Sequence, residues 1–124
     1  MPPSFKIRVA EPNITEEDAQ AVYNAVKEEC LSGSGPYNKQ FEEDFAKFIG
    51  TKHAITVNSG TAALHLSLEA LGIKDGDEVI TTPFTFAATS NVIVMQNAVP
   101  IFVDIESETF NLDPSKIEKS ITPK

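Results

Sequence analysis

The sequence predicts an α/β fold with a mainly parallel sheet and flanking helices. From His53 onward, short β-branched runs alternate with helical stretches, which is the spacing of right-handed βαβ units. The helix expected from Thr61 to Leu71 carries Ala62, Ala63, Leu64, Leu66, Leu68 and Leu71 with almost no polar face, so it should be sandwiched between layers. With 124 residues and 41% hydrophobic content, the chain is long enough for one domain with a core and too short for two ordinary ones.

The elements follow in order. After an extended start, Thr15 can cap a helix in which Ala19, Val22, Tyr23 and Val26 recur at i, i+3, i+4 and i+7, an amphipathic stripe expected to dock. Leu31-Ser32-Gly33-Ser34-Gly35-Pro36 breaks it, and Phe41, Phe45 and Phe48 mark a second helix ending at Gly50. Strands are expected from Ala54 to Val57, from Glu78 to Thr82 and from Pro100 to Ile105, with a helix reaching Asn97 before the third. The Lys74-Asp75-Gly76-Asp77 turn joins helix to strand. A last helix opens at Asp113-Pro114, where Asp caps and Pro fills the first turn, and it directs Ile117 and Ile121 toward the sheet. A strand is expected after such a helix, since an open parallel sheet exposes its edge, so the chain reads as incomplete.

Composition narrows the function. Ten Lys and Arg against 18 Asp and Glu leave a formal net charge of -8, which opposes a nucleic-acid partner. A single cysteine, Cys30, precludes an internal disulfide and fits a cytoplasmic setting, with Cys30 a small helix-end residue. The start, Met1 to Lys6, has no apolar signal-peptide core, and no run approaches the length of a membrane span. His53 and His65 lack a second ligand at metal spacing and read as core or surface histidines. Glu16, Glu17 and Asp18, like Glu42, Glu43 and Asp44, are expected in helix first turns, where they complement the dipole on solvated faces.

The sharpest motif is Thr56-Val57-Asn58-Ser59-Gly60-Thr61-Ala62-Ala63, which runs from a β-rich segment through Gly60 into a helix. The first N–H groups of a helix have no internal partner, the dipole leaves partial positive charge there, and glycine admits a phosphate closely. Ser59 and Thr61 add hydroxyl donors. Ser and Thr are equally good helix caps, so these residues alone leave an anion site and a plain cap both open. Further on, Thr81-Thr82-Pro83-Phe84-Thr85-Phe86 puts two aromatics at the C-terminal end of a strand, the edge where α/β sheets bind ligands. Phe84 or Phe86 is either a platform for an aromatic cofactor or a core residue.

Four segments together resemble nucleotide-sugar aminotransferases of the DegT/StrS type. They are Asn58 to Leu66, the Gly76-Asp77-Glu78-Val79-Ile80 turn, Thr85-Phe86-Ala87-Ala88-Thr89, and Pro100-Ile101-Phe102-Val103-Asp104-Ile105. The Leu31 to Pro36 loop and the closing Ile121-Thr122-Pro123-Lys124 match in the same order and spacing. The resemblance implies the N-terminal part of the large domain of an aspartate-aminotransferase-type enzyme with pyridoxal 5'-phosphate as cofactor. It implies amino transfer from an amino acid, usually glutamate, to a keto group on a nucleotide-linked sugar by a homodimer, with polysaccharide biosynthesis as the setting. Residues 1–36 then form an N-terminal helix and substrate-facing loop, and residues 37–124 the first part of the cofactor-binding domain.

Carried over by position, Ser59, Gly60, Thr61 and Ala62 hold the cofactor phosphate and Phe86 stacks on the pyridine ring. Leu31, Ser32 and Gly33 face the sugar, and Asn91 either lines the pocket or serves the helix surface. Asp104 is structural, since the family's partner for the ring nitrogen is a later aspartate. The family's Schiff-base lysine follows a Ser-Phe lead-in, and no lysine of this chain sits in such a segment. The resemblance therefore implies no catalytic residue here, and an inactive chain on its own. A pyridoxal-dependent sugar dehydratase, whose relatives replace that lysine by histidine, and a non-catalytic phosphate-ligand module remain alternatives.

Overall fold

The computed structural model describes residues 10–124; the extended start and the leaderless N-terminus read from residues 1–9 lie outside them. Contacts divide the chain into two compact units that meet at Thr56 and Val57.

In the first unit, α1 (Glu16–Lys27) and α2 (Pro36–Ile49) form as their punctuation requires. Thr15 and Asp18 make a reciprocal capping box: the Asp18 N–H donates to Thr15 Oγ1 at 3.3 Å, and the Thr15 N–H donates to Asp18 Oδ2 at 2.8 Å. Helix α1 stops where Glu29 turns left-handed (φ 56°), letting the Cys30 N–H reach back to the Ala25 carbonyl. Cys30 thus lies just beyond the helix, half-buried. Helix α2 starts on Pro36 and ends on Gly50 at φ 82°. The apolar stripe of α1 does not dock as expected: Val22, Tyr23 and Val26 are exposed, because no described element of this unit covers that face.

The second unit runs α3 (Gly60–Ala70), β1 (Glu78–Thr81), α4 (Ala88–Met95), β2 (Val99–Phe102), α5 (Pro114–Ile117) and a 3₁₀ turn at Glu118–Ser120. Strands β1 and β2 pair in parallel, Glu78 opposite Val99 through Thr81 opposite Phe102, and α4 is the crossover between them. The α/β expectation is met by this βαβ unit. Its core is Ala88, Val92 and Ile93 of α4 with Ala98 and Val103. The turn into β1 is set by Gly76 at φ 81° and by Asp77, whose carboxylate accepts the Lys74 N–H at 2.7 Å.

Four expectations are corrected. Residues 54–57 are extended but form no strand; β-propensity needs a neighbouring strand to hydrogen-bond, and none is present among the described residues. The third strand ends at Phe102 rather than Ile105, and Ile105 instead makes an isolated antiparallel bridge with Leu112. Helix α3 packs on α4 but is not sandwiched, since Leu66 and Leu71 stay exposed, Leu71 at 77%. The last α-helix is one turn long, and Ile121, beyond it, is 64% exposed rather than buried on the sheet.

Candidate cofactor-phosphate site

The start of α3 is built by Ser59. Its extended backbone (φ -163°, ψ 158°) brings the chain in, and its Oγ accepts the Ala62 N–H at 3.2 Å while its carbonyl takes the Ala63 N–H at 3.0 Å. The N–H groups of Gly60 and Thr61 are left with no acceptor among the described residues. No carboxylate stands in the first turn, so the dipole's positive end is uncompensated. A Cβ built on Gly60 meets no heavy atom within 4 Å. Two open donors, a Thr61 hydroxyl and free approach over glycine fit a phosphate dianion. Ser59 is a cap, and the capping bond uses Ser59 and Ala62 while sparing the N–H groups of Gly60 and Thr61, so the cap leaves room for an anion at the same turn.

Phe86 lies in the bend between β1 and α4. Its carbonyl accepts the Thr89 N–H at 3.0 Å, the Thr85 and Thr89 hydroxyls pair at 3.1 Å, and the Phe84 N–H donates to Thr82 Oγ1 at 3.3 Å. These bonds pin the backbone while leaving the Phe86 ring 81% exposed and the Phe84 ring 64% exposed. Neither is a core residue. Phe84 packs instead on Phe110, with ring centroids 6.0 Å apart. Nothing in the spacing of Phe110 foretold that contact.

In the first unit, the Leu31, Ser32 and Gly33 loop is tied within itself. The Gly35 N–H donates to the Ser32 carbonyl at 2.9 Å, and Asn38 Nδ2 to the Gly33 carbonyl at 2.6 Å. Leu31 is left exposed. Glu42, Glu43 and Asp44 are not in a first turn as expected, because α2 begins six residues before Glu42 at Pro36. Glu42 is half-buried rather than solvated, and it accepts the Thr56 hydroxyl at 2.5 Å and the Thr56 N–H at 2.7 Å. The hydroxyl, followed by the N–H, holds its carboxyl below the usual range.

Asp104 Oδ1 accepts the Ile105 N–H at 2.8 Å, and its Oδ2 lies 3.5 Å from Lys116 Nζ. Lys116 also reaches Asp113 at 3.3 Å, and that bond raises its pKa, the opposite of what a nucleophilic amine needs. Asn91 is exposed on α4, His53 is exposed, and His65 is half-buried on α3. No group of three metal-ligating side chains exists among the described residues. None of their helices is long and apolar enough to cross a membrane.

The sequence model of the DegT/DnrJ/EryC1/StrS aminotransferase family matches residues 12–124. The chain is 50% identical to the spore coat polysaccharide biosynthesis protein SpsC of Bacillus subtilis, covering 91% of this chain and 29% of that protein. It is 41% identical to GDP-perosamine synthase of Caulobacter vibrioides, covering 96% and 32%. The crystal structure of NtdA from Bacillus subtilis with bound cofactor PMP matches with a TM-score of 0.81 at 41% identity, over 89% of this chain and 26% of that one. The chain thus spans less than a third of the length of these relatives.

Proposed function

Because the chain belongs to the DegT/DnrJ/EryC1/StrS aminotransferase family, we propose that it supplies the phosphate-gripping and ring-facing part of a pyridoxal-phosphate-dependent sugar aminotransferase. The overall reaction moves an amino group from an amino acid such as glutamate to a keto group of a nucleotide-linked sugar. The observation that carries this reading is the start of α3, where Gly60 and Thr61 present unpartnered N–H groups at a helix N-terminus. The family is pyridoxal-phosphate-dependent, and the cofactor, when bound, supplies an electron sink for amino-group chemistry.

The chain's own residues bind and orient. Gly60 and Thr61 donate to the phosphate, and Ser59 with Ala62 frames the turn that aims them. Phe86, exposed on a pinned backbone, offers its face to the pyridine ring. The tied Leu31, Ser32 and Gly33 loop faces the sugar, consistent with a division into a substrate-facing segment to residue 36 and the first part of the cofactor domain beyond it. The Schiff-base lysine is not among these residues. A nucleotide-linked sugar is favoured by the GDP-perosamine synthase relative, and a cytoplasmic homodimer completes the reading.

Amino transfer tests it directly. The intact protein carrying this chain, loaded with pyridoxal phosphate and given nitrogen-labelled glutamate and a nucleotide-linked keto sugar, should place the label on the sugar. Unlabelled sugar from protein that holds the cofactor refutes the reading.

A further inference from the structure

Phe110 holds a backbone conformation that its side chain disfavours. Its φ is 60°, in the left-handed region where a bulky residue is an outlier and is retained only if its surroundings fix it. The surroundings do fix it. The 105–112 loop is closed at its base by the Ile105 and Leu112 bridge and by the Glu106 N–H donating to the Asn111 carbonyl at 2.9 Å. Inside, the Phe110 N–H donates to the Glu106 carbonyl at 3.2 Å, Thr109 Oγ1 donates to the Glu106 carboxylate, and Asn111 donates twice to Thr109 Oγ1. Such a loop would sit more comfortably with Asn or Gly at this position. What Phe adds is its ring, which meets Phe84 with centroids 6.0 Å apart and a 41° interplanar angle, within the range of favourable tilted pairs.

Phe84 and Phe86 are two residues apart on one bend, running from the end of β1 to the start of α4. The bend's C-terminal side is tied by the Phe86 carbonyl and the Thr85 and Thr89 hydroxyls, and its N-terminal side by Thr82. Among the described residues, the Phe84 and Phe110 pair is the aromatic contact that joins this bend to a segment distant in sequence. We propose that Phe110 is a positioning residue for Phe86: the 105–112 loop accepts a strained backbone so that the Phe110 ring props Phe84 and holds the Phe86 platform at a fixed height and tilt. The inference rests on the cofactor reading above and adds to it a residue that touches neither phosphate nor ring.

Phe110→Asn separates ring from backbone, since Asn tolerates the left-handed region and keeps the loop. In the intact protein, F110N should weaken pyridoxal phosphate binding by up to about two- to twelvefold, the worth of one aromatic pair. It should also reduce the induced circular dichroism of the cofactor at saturation, which reports ring orientation rather than occupancy. Phe110→Tyr keeps the ring and should restore both. A role confined to holding the loop together lowers the melting temperature while leaving the dichroism of the saturated protein unchanged, and that result overturns the proposal. An F110N affinity equal to that of the parent also overturns it. Failure of the unsubstituted protein to bind the cofactor at all would instead bring down the underlying reading, and this inference with it.

Discussion

Replacing Gly60 by alanine separates stability from binding at one atom. Gly60 opens α3, its φ is outside the left-handed region, and an added Cβ meets no heavy atom within 4 Å. The substitution therefore introduces no clash, and it removes conformational freedom from the unfolded chain, a gain of about 0.4–1 kcal/mol. The same methyl would narrow the free approach of a phosphate over Gly60 to the N–H groups of Gly60 and Thr61. Holding a phosphate away from one of them forfeits a hydrogen bond to a charged group, about 1.5–3 kcal/mol, so affinity should fall about ten- to a hundredfold. Thermal melts without cofactor and pyridoxal phosphate titration read the two effects separately. Melting at or slightly above the parent temperature, together with weakened binding, is the expected pair. Undiminished affinity would mean that the phosphate does not approach over Gly60.

Other substitutions probe the same architecture. Ser59→Ala removes the acceptor of the Ala62 N–H and should cost about 1 kcal/mol of stability, read as a lower denaturant midpoint; an unchanged midpoint would deny Ser59 its capping role. Phe86→Ala removes a ring that is 81% exposed, so stability should stay within about 0.5 kcal/mol. Its cofactor affinity should drop about two- to twelvefold through lost stacking, whereas a large stability loss would place the ring in a core instead. Glu42 makes the first unit acid-sensitive. Its folded pKa lies below the unfolded value because Thr56 donates to the carboxylate. That stabilisation is complete above the ordinary carboxylate value of about 4.3 and is lost as pH falls through the lower folded value. Glu42→Gln should flatten this part of the acid limb in melts recorded across that window; an acid limb of unchanged slope would assign the sensitivity elsewhere.

Local rules decided what the sequence could disclose. The Thr15 cap, the Gly50 stop, the Gly76 turn and the Asp113 cap each depend on neighbours within a few residues, and each was legible, whereas the start of α2 at Pro36 was not, because the Leu31 to Pro36 run reads as a loop. The helix start at Gly60 was legible too, but Ser-Gly-Thr entering an apolar helix left a plain cap and an anion site both open. Periodicity misled where it implied burial. The stripes of Val22, Tyr23 and Val26, and of Leu66 and Leu71, specify faces that want a partner, and no described element covers them. Residues 54–57 show the same gap for strands, since β-branched residues favour extension but a ladder requires a second strand. The Glu42 bond to Thr56 and the Phe110 contact with Phe84 span 14 and 26 residues, and no pattern of residue types encodes such tertiary pairs.

The central claim is that the cofactor's phosphate is held by the backbone at the start of α3. Amide chemical shifts of the isotope-labelled intact protein test it most directly, comparing pyridoxal phosphate with pyridoxal, which lacks the phosphate. Gly60 and Thr61 should shift strongly with pyridoxal phosphate and little with pyridoxal, while the Phe86 region responds to both. Saturable pyridoxal phosphate binding that leaves the Gly60 and Thr61 amides unmoved would contradict it.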